Sequence, residues 1–406
     1  MRILIAEDER ITRATLVRHL EGWGHSVTAS EDGEKAWEQF QAGGFDIVVT
    51  DWEMPHLSGL ELVKRIRASA AATYVYVIML TSRSDKSDIV SGIEAGADDF
   101  VSKPFDREEL RVRLLAGERI VRLERALNEQ NAELRDANDR IRDGLQAAAR
   151  VQRAMLPKKA IENGRVRAAW TYVPTDELGG DAIGLELISD RYLIAYVIDV
   201  SGHGVPAALL SVTAMHALAT AGDAGEGASL LLNSQRGGGG GDGGLGPVQS
   251  PARTVAELNR RFCASDNDGR FLTMVLFALD TQTGRATFAR AGHPYPVLVR
   301  ARGCVALGED GGLPLGVVDG GDFPDVALTL QPGDRFFLHS DGFLEQARPS
   351  DGEQFGEERL QSLLVSLADA PGPQLVTRSI DALAEWAGEG GFVDDMSLVM
   401  IEWAGP

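Results

Sequence analysis

The sequence predicts three parts: an α/β unit with a doubly wound, five-stranded parallel sheet over residues 1–117, a helical coiled-coil linker over 118–156, and an α+β unit of two packed antiparallel sheets flanked by helices over 157–406. Three observations lead there. Short apolar runs alternate with amphipathic stretches in the first part, an apolar repeat of seven residues fills the second, and strand-like runs divided by turns dominate the third.

In the first part the strands are "RILIA", "SVTAS", "FDIVVTD", "YVYVIML" and "DDFVSK", with helical segments such as "ERITRATLVRHLEGWG" and "GLELVKRIRASA" between them. Strands alternating with helices imply a parallel sheet covered on both faces. In the linker Ile120, Leu127, Leu134, Ile141 and Ala148 recur every seven residues, and Asn131, Asn138 and Leu145 stand four later. Apolar residues at one core position and asparagines at the other predict a short dimeric coiled coil whose asparagines fix register. The competing expectation is a solvated single helix packed on its own unit. In the third part "RYLIAYVIDV", "TMVLFALD", "RATFARAG", "YPVLVRA" and "DRFFLHSD" read as antiparallel strands, and "RGGGGGDGGLGP" (236–247) as a mobile insertion that cannot pack a core.

Composition narrows the function classes. With 406 residues, 44% hydrophobic and 25% charged, the chain reads as globular, and its net charge of −20 disfavours nucleic acid while suiting cations. No basic recognition helix is present. Cys263 and Cys304 provide neither a disulfide framework nor a tetrahedral zinc site. "MRILIAEDER" is no signal peptide, and no apolar run reaches the roughly 18 residues of a membrane span, so a cytoplasmic protein is expected.

Polar residues gather where the predicted parallel strands end. Glu7 and Asp8 follow the first strand, Asp51 the third, Thr81 the fourth and Lys103 the fifth. The carboxyl ends of parallel strands line the binding crevice of such a sheet. Three carboxylates there require a cation, and oxygen ligands favour Mg²⁺, with Thr81 and Lys103 free to hold phosphoryl oxygens. The ordered set "LIAEDE", "VVTDWEMPHLSGLEL", "VIMLTS" and "AGADDFVSKPF" resembles the receiver domain of CheY-like response regulators. The resemblance implies Asp51 as phosphoacceptor and Glu7, Asp8, Asp51 and the Glu53 carbonyl as Mg²⁺ ligands. It also implies Thr81 and Phe100 as a switch pair, a cis Lys103–Pro104 bond, and a sensor histidine kinase as phosphodonor.

A second set of aspartates ends apolar runs in the third part: Asp181 in "ELGGDAIG", Asp199 in "YVIDVSGHGVPAA", Asp341 in "LHSDGFLE", and Asp394 and Asp395 in "VDDMSLVMIE". Asp199 is either the cap of the following helix or a metal ligand. Buried carboxylates need partners, and aspartates without histidine or cysteine suit Mg²⁺ or Mn²⁺. Two such ions about 3.5–4 Å apart are the usual means of hydrolysing a phosphate ester. Here "VQRAMLP", "GGD", "DVSGHGVPAALL", "ELNRRF", "RAGHPYP", "GLPLG", "PGDRFFLHSDGFLE" and "FVDDMSLV" follow one another as in the SpoIIE/RsbU-like branch of PPM-type serine/threonine phosphatases.

This resemblance implies that Asp199 bridges two Mn²⁺ or Mg²⁺ ions, with the Val200 carbonyl on one of them. Asp341 and Asp394 complete the second site, and Asp181 binds directly or through water. Gly180, Gly202 and Asp395 support them, the glycines by letting backbone come close. The residues "AIG" after GGD depart from the family's aromatic and second aspartate. His203, His293 and His339 read as structural, because metal-activated water needs no histidine. The implied substrate is a phosphorylated anti-sigma-factor antagonist of the STAS type, and the implied assembly a homodimer through 118–156. The alternatives are an adaptor with an inactive phosphatase-like domain and a DNA-binding regulator, and the charge argues against the second.

Overall fold

The computed structural model describes residues 1–69, 74–82, 86–158, 160–188, 190–219, 231, 248–263, 269–305, 307 and 312–406, so the Gly-rich stretch 236–247 lies outside the described residues. The chain divides into two compact units, Met1–Arg140 and Ile141–Pro406.

The first unit carries β1 (Arg2–Ala6), β2 (Ser26–Ser30), β3 (Ile47–Asp51), β4 (Tyr76–Thr81) and β5 (Asp99–Ser102), all parallel, in the order β2-β1-β3-β4-β5. Its helices are α1 (Arg10–Gly22), α2 (Gly33–Gln41), α3 (Gly59–Ala68), α4 (Lys86–Glu94) and the start of α5 (Arg107–Met155). Both sheet faces are apolar, as a sheet covered twice requires. Ile3, Ile5, Val49 and Leu80 pack on Leu16, Leu20, Leu110 and Leu114, while Leu4, Val48 and Met79 pack on Ala36, Leu62 and Val63. A capping box formed by Ser58 and Glu61 starts α3. The strand order reverses between β1 and β3, which opens the crevice at their carboxyl ends.

One helix of 49 residues, α5, runs from Arg107 to Met155. The residues of the seven-residue repeat lie on its surface: Leu127, Leu134 and Ile141 are 52%, 60% and 61% exposed, and Asn131 and Asn138 are exposed too.

The second unit holds two antiparallel sheets. In chain order its strands are β6 (Ile161–Glu162), β7 (Val166–Val173), β8 (Ala182–Ile188), β9 (Tyr192–Val200), β10 (Leu272–Asp280), β11 (Arg285–Ala291), β12 (Val297–Arg300), β13 (Gly303–Val305), β14 (Val326–Thr329), β15 (Arg335–His339) and β16 (Met396–Trp403). One sheet is ordered β14-β11-β10-β9-β8 and the other β13-β12-β15-β16-β7-β6. Their inner faces share one core, where Val197, Phe277 and Phe288 meet Phe336, Leu338 and Ile401. Helices α6 (Val205–Leu218) and α7 (Pro251–Cys263) cover the outer face of the first sheet. The second sheet is covered by the short α8 (Gly342–Glu345), α9 (Gly356–Ser366) and α10 (Gly372–Ala387).

Candidate functional site

The strand ends of the first unit build a pocket of about 240 Å³ lined by Glu7, Asp8, Asp51, Glu53, Thr81 and Lys103, among others. Glu7, Asp8 and Asp51 each offer a carboxylate oxygen within 4.8 Å of the others. Lys103 spans the pocket, with Nζ 2.8 Å from both Asp51 Oδ2 and Glu7 Oε2. Burial raises the Glu7 carboxyl and the Lys103 ammonium opposes that rise. Burial pulls the Lys103 ammonium down, but its hydrogen bonds to Asp51 and Glu7 outweigh this and leave it above its ordinary value. The pocket thus holds an acidic trio and one cation, as a divalent ion and a phosphoryl group require.

The backbone beneath is tightly built. A Cβ on Gly59 would stand 1.9 Å from the Asp51 carbonyl oxygen, so α3 can start directly under Asp51 only because that residue is glycine. Thr81 ends β4, 3% exposed, and Phe100 lies half-buried in β5 beside Gly92. The Lys103–Pro104 bond is cis.

In the second unit the turn Ser201–Gly204 joins β9 to α6. Gly202 and Gly204 take φ of 86° and 78°, the region glycine favours, and Gly204 caps α6 with no side-chain bond. Asp199 therefore is not a helix cap. Its carboxylate is one of a converging group. Burial first, then Asp341, Asp394, Asp395 and Glu345, push Asp199 up to about 8. Asp341 is pushed up to about 6 by burial and by Asp394 and Glu345. Burial also raises Asp394, and burial with Asp199 raises the wholly buried Asp181. Asp181 Oδ2 is buried with no hydrogen-bond partner.

Among the described residues, no three of these aspartates bring oxygens within 4.8 Å of one another, unlike the trio of the first unit. Ligands of one small divalent ion, bound at about 2.1 Å, lie closer together than that. Asp199, Asp341 and Asp394 are thus not drawn together as the ligands of one ion would be, whereas the unpartnered, buried Asp181 Oδ2 is an oxygen that a cation could take up. The donor set is all oxygen, which fits Mn²⁺ or Mg²⁺.

Supporting contacts set these carboxylates. Asp395, 5% exposed, accepts from the Thr175 N–H at 2.8 Å, the Thr175 hydroxyl at 3.1 Å and the Asp181 N–H at 3.3 Å. It thereby pins the loop that delivers Asp181. A Cβ on Gly180 would come within 3.1 Å of the Val200 carbonyl and 3.3 Å of that of Gly202, so the GGD loop packs backbone to backbone on the Asp199 turn.

Three features escape sequence reasoning. Gln152, on the last turn of α5, is 3% exposed and donates to the Gly179 carbonyl at 2.7 Å and the Ser211 hydroxyl at 3.2 Å. Its place inside "VQRAMLP" was the available signal. The Tyr172 hydroxyl closes on Gly179, a contact set by strand register alone. His203 is not packed: its side chain is 89% exposed, with Nδ1 3.6 Å from Asp176 Oδ2. His293 and His339 are buried, at 1% and 2%.

The first unit is thus a doubly wound sheet with an acidic trio and a lysine at its strand ends, and the second a double sheet with a group of converging aspartates. The family model for Stage II sporulation protein E (SpoIIE) matches residues 189–404, and that for the response regulator receiver domain matches 3–115. The chain belongs to the SpoIIE family. The transcriptional regulatory protein CseB of Streptomyces coelicolor is 43% identical over 114 residues, 28% of this chain and 47% of that protein. The uncharacterized transcriptional regulatory protein YkoG of Bacillus subtilis is 41% identical over 114 residues, 28% of this chain and 49% of its own. The chain thus spans about half the length of the curated relatives it matches, through its receiver. The SiaA-PP2C domain of Pseudomonas aeruginosa has a TM-score of 0.53 at 24% identity, covering 66% of this chain and 98% of that one, a likeness of fold. No helix among the described residues is long and apolar enough to cross a membrane.

Proposed function

We propose that the chain is a cytoplasmic two-component response regulator whose output is a metal-dependent protein serine/threonine phosphatase, controlled by phosphorylation of Asp51. The observation that carries this reading is the group of aspartates converging around Asp199, whose carboxyl burial first, and then Asp341, Asp394, Asp395 and Glu345, push up to about 8. Such a group is costly unless cations occupy it.

In the receiver, the Asp51 carboxylate attacks the phosphorus of a phosphodonor supplied by a sensor histidine kinase, and the bond to the donor breaks. Lys103, between Asp51 and Glu7, and the Thr81 hydroxyl meet the new phosphoryl oxygens, and Phe100 follows Thr81. Glu7, Asp8, Asp51 and the Glu53 carbonyl would hold Mg²⁺, which would supply charge neutralisation for the phosphoryl group.

In the phosphatase unit, Asp181, Asp199, the Val200 carbonyl, Asp341 and Asp394 would hold two Mn²⁺ or Mg²⁺ ions, which would supply an activated water and neutralise phosphate charge. Asp395 and the glycines at 180 and 202 keep the Asp181 loop against the Asp199 turn. Water adds to phosphorus, the bond to the seryl or threonyl oxygen breaks, and the proton goes to that oxygen. The substrate class is a phosphorylated STAS anti-sigma-factor antagonist.

Gln152 supports a route between the parts. It sits on the helix that begins in the receiver and holds the Gly179 carbonyl, two residues before Asp181. A homodimer through residues 118–156 is supported by the exposed Leu127, Leu134 and Ile141 stripe, and sedimentation of the full chain checks it. The main test is hydrolysis of p-nitrophenyl phosphate with Mn²⁺ by wild type, Asp199→Asn and Asp51→Asn, each with and without acetyl phosphate. Turnover lost in Asp199→Asn, and a response to acetyl phosphate lost in Asp51→Asn, are expected. Absence of turnover with both the ester and a phosphorylated STAS protein would replace the enzyme by an adaptor.

A further inference from the structure

His293 has no part in the chemistry above, yet it hydrogen-bonds the residue paired with Asp199 in the neighbouring strand. It follows Gly292, whose φ of 64° turns the chain at the end of β11 and whose Cβ would strike Pro314 at 2.5 Å. That turn drives the imidazole inward until 1% of the residue is exposed. Nδ1 then lies 2.7 Å from the Thr273 hydroxyl. The His293 carbonyl is fixed as well, accepting from Arg290 Nη1 at 2.5 Å, and that guanidinium stacks 3.8 Å above the Tyr295 ring. Thr273 is the direct antiparallel partner of Asp199 in the β9–β10 ladder. Directly opposed residues share a sheet face with β-carbons about 4.5–5.5 Å apart.

We propose that His293 and Thr273 are a positioning pair for Asp199: the imidazole fixes the Thr273 hydroxyl, and that hydroxyl selects the Asp199 rotamer whose two oxygens face different ions. A bridging carboxylate needs such a neighbour, because each of its oxygens must serve a separate metal and a free rotamer spoils both. Hydrogen-bond partners behind a ligand typically set its orientation and affinity. Burial drives the imidazole down to about 3, so the ring is a neutral hydrogen-bonding group and brings no repelling charge to the metal site. The inference rests on the reading of Asp199 as a metal ligand.

The test is Mn²⁺ binding to the full chain by titration calorimetry, with kcat and KM for p-nitrophenyl phosphate at saturating Mn²⁺. The variants are Thr273→Val, Thr273→Ser, His293→Leu, His293→Asn and Asp199→Asn. Thr273→Val and His293→Leu are expected to weaken Mn²⁺ binding about 10- to 100-fold, while Thr273→Ser and His293→Asn, which keep a polar atom in place, stay within about 3-fold. Loss is expected in kcat rather than KM. Thr273→Val preserves shape, so it reports even if His293→Leu fails to fold. Wild-type Mn²⁺ affinity in Thr273→Val overturns the pair. So does equal weakening in the Ser and Asn variants, which would mark a packing role. Wild-type affinity in Asp199→Asn overturns the metal reading itself and the pair with it.

Discussion

Asp199 and Lys103 show how single residues set the chemistry of the two sites. Burial first, then the neighbouring carboxylates, push the Asp199 carboxyl well above the usual carboxylate range, which favours a bound proton when no cation is present. A cation must displace that proton, so Mn²⁺ binding at pH 7 is expected to release protons. Calorimetry in buffers of different ionisation enthalpy reads the number released, and Asp199→Asn is expected to lower it. Lys103 works in the opposite sense, holding charge where carboxylates would otherwise stand alone, with Nζ 2.8 Å from Asp51 Oδ2. Lys103→Ala is expected to slow acetyl-phosphate labelling of Asp51 by about 100-fold, the usual scale for losing one charge-stabilising donor, as read by phosphate-affinity electrophoresis. In the sequence the acidic residues of both sites stand out because each lies at the end of a strand-like run or in the adjoining turn, and the structure puts Asp181 just before β8 and Asp394 and Asp395 just before β16. The roles of the neighbouring Asp394 and Asp395 were harder to part. Adjacent residues at a strand start face opposite ways, and here Asp395 is the one turned inward to Thr175 and the Asp181 N–H.

At the level of elements, the seven-residue repeat made α5 readable, but not its far end. Gln152 looks like any polar residue on a charged helix, and its burial follows from the packing of Ala149 on Leu178 and Ala208, which no local pattern encodes. Gln152→Ala is expected to destabilise the second unit by about 1–3 kcal/mol, since it strands the Gly179 carbonyl without a donor. Phosphatase turnover is expected to fall with it while Asp51 labelling stays unchanged; differential scanning calorimetry and the two assays separate these effects. Glycines were likewise visible as turn signals, yet the one at 59 acts through space, under the Asp51 carbonyl.

Across the whole molecule, the five parallel strands of the first unit were readable from their apolar runs. In the second unit only the strands now numbered β9, β10, β11, β12 and β15 were, and α5 runs unbroken from Arg107 to Met155 across the expected boundary at 117. The packing of one sheet on the other was readable only as a class. Partner choice among the eleven strands described in the second unit depends on long-range register, as with β7 beside β16. Stability carries its own acid dependence. His293 and His339 are buried neutral, His293 held at about 3 against an ordinary 6.5 and His339 also lowered, in both cases by burial first. The unfolded chain binds protons there that the native one does not, so this stability is full above about pH 6.5 and declines as pH falls below it. The raised Asp181, Asp199 and Asp341 carboxyls act in the opposite sense over this range, so the histidine share is read by difference: between pH 7.5 and 5.5 in urea unfolding, His339→Phe is expected to lose less stability, or gain more, than wild type. The unbroken helix Arg107–Met155 has a consequence of phase. Each residue removed between 124 and 140 turns Gln152 by about 100° relative to everything upstream, whereas removing seven nearly restores the angle. Deletions of two residues are therefore expected to uncouple phosphatase turnover from acetyl phosphate, and deletions of seven to preserve the response. Regulation in this protein would then be written in angle rather than in distance.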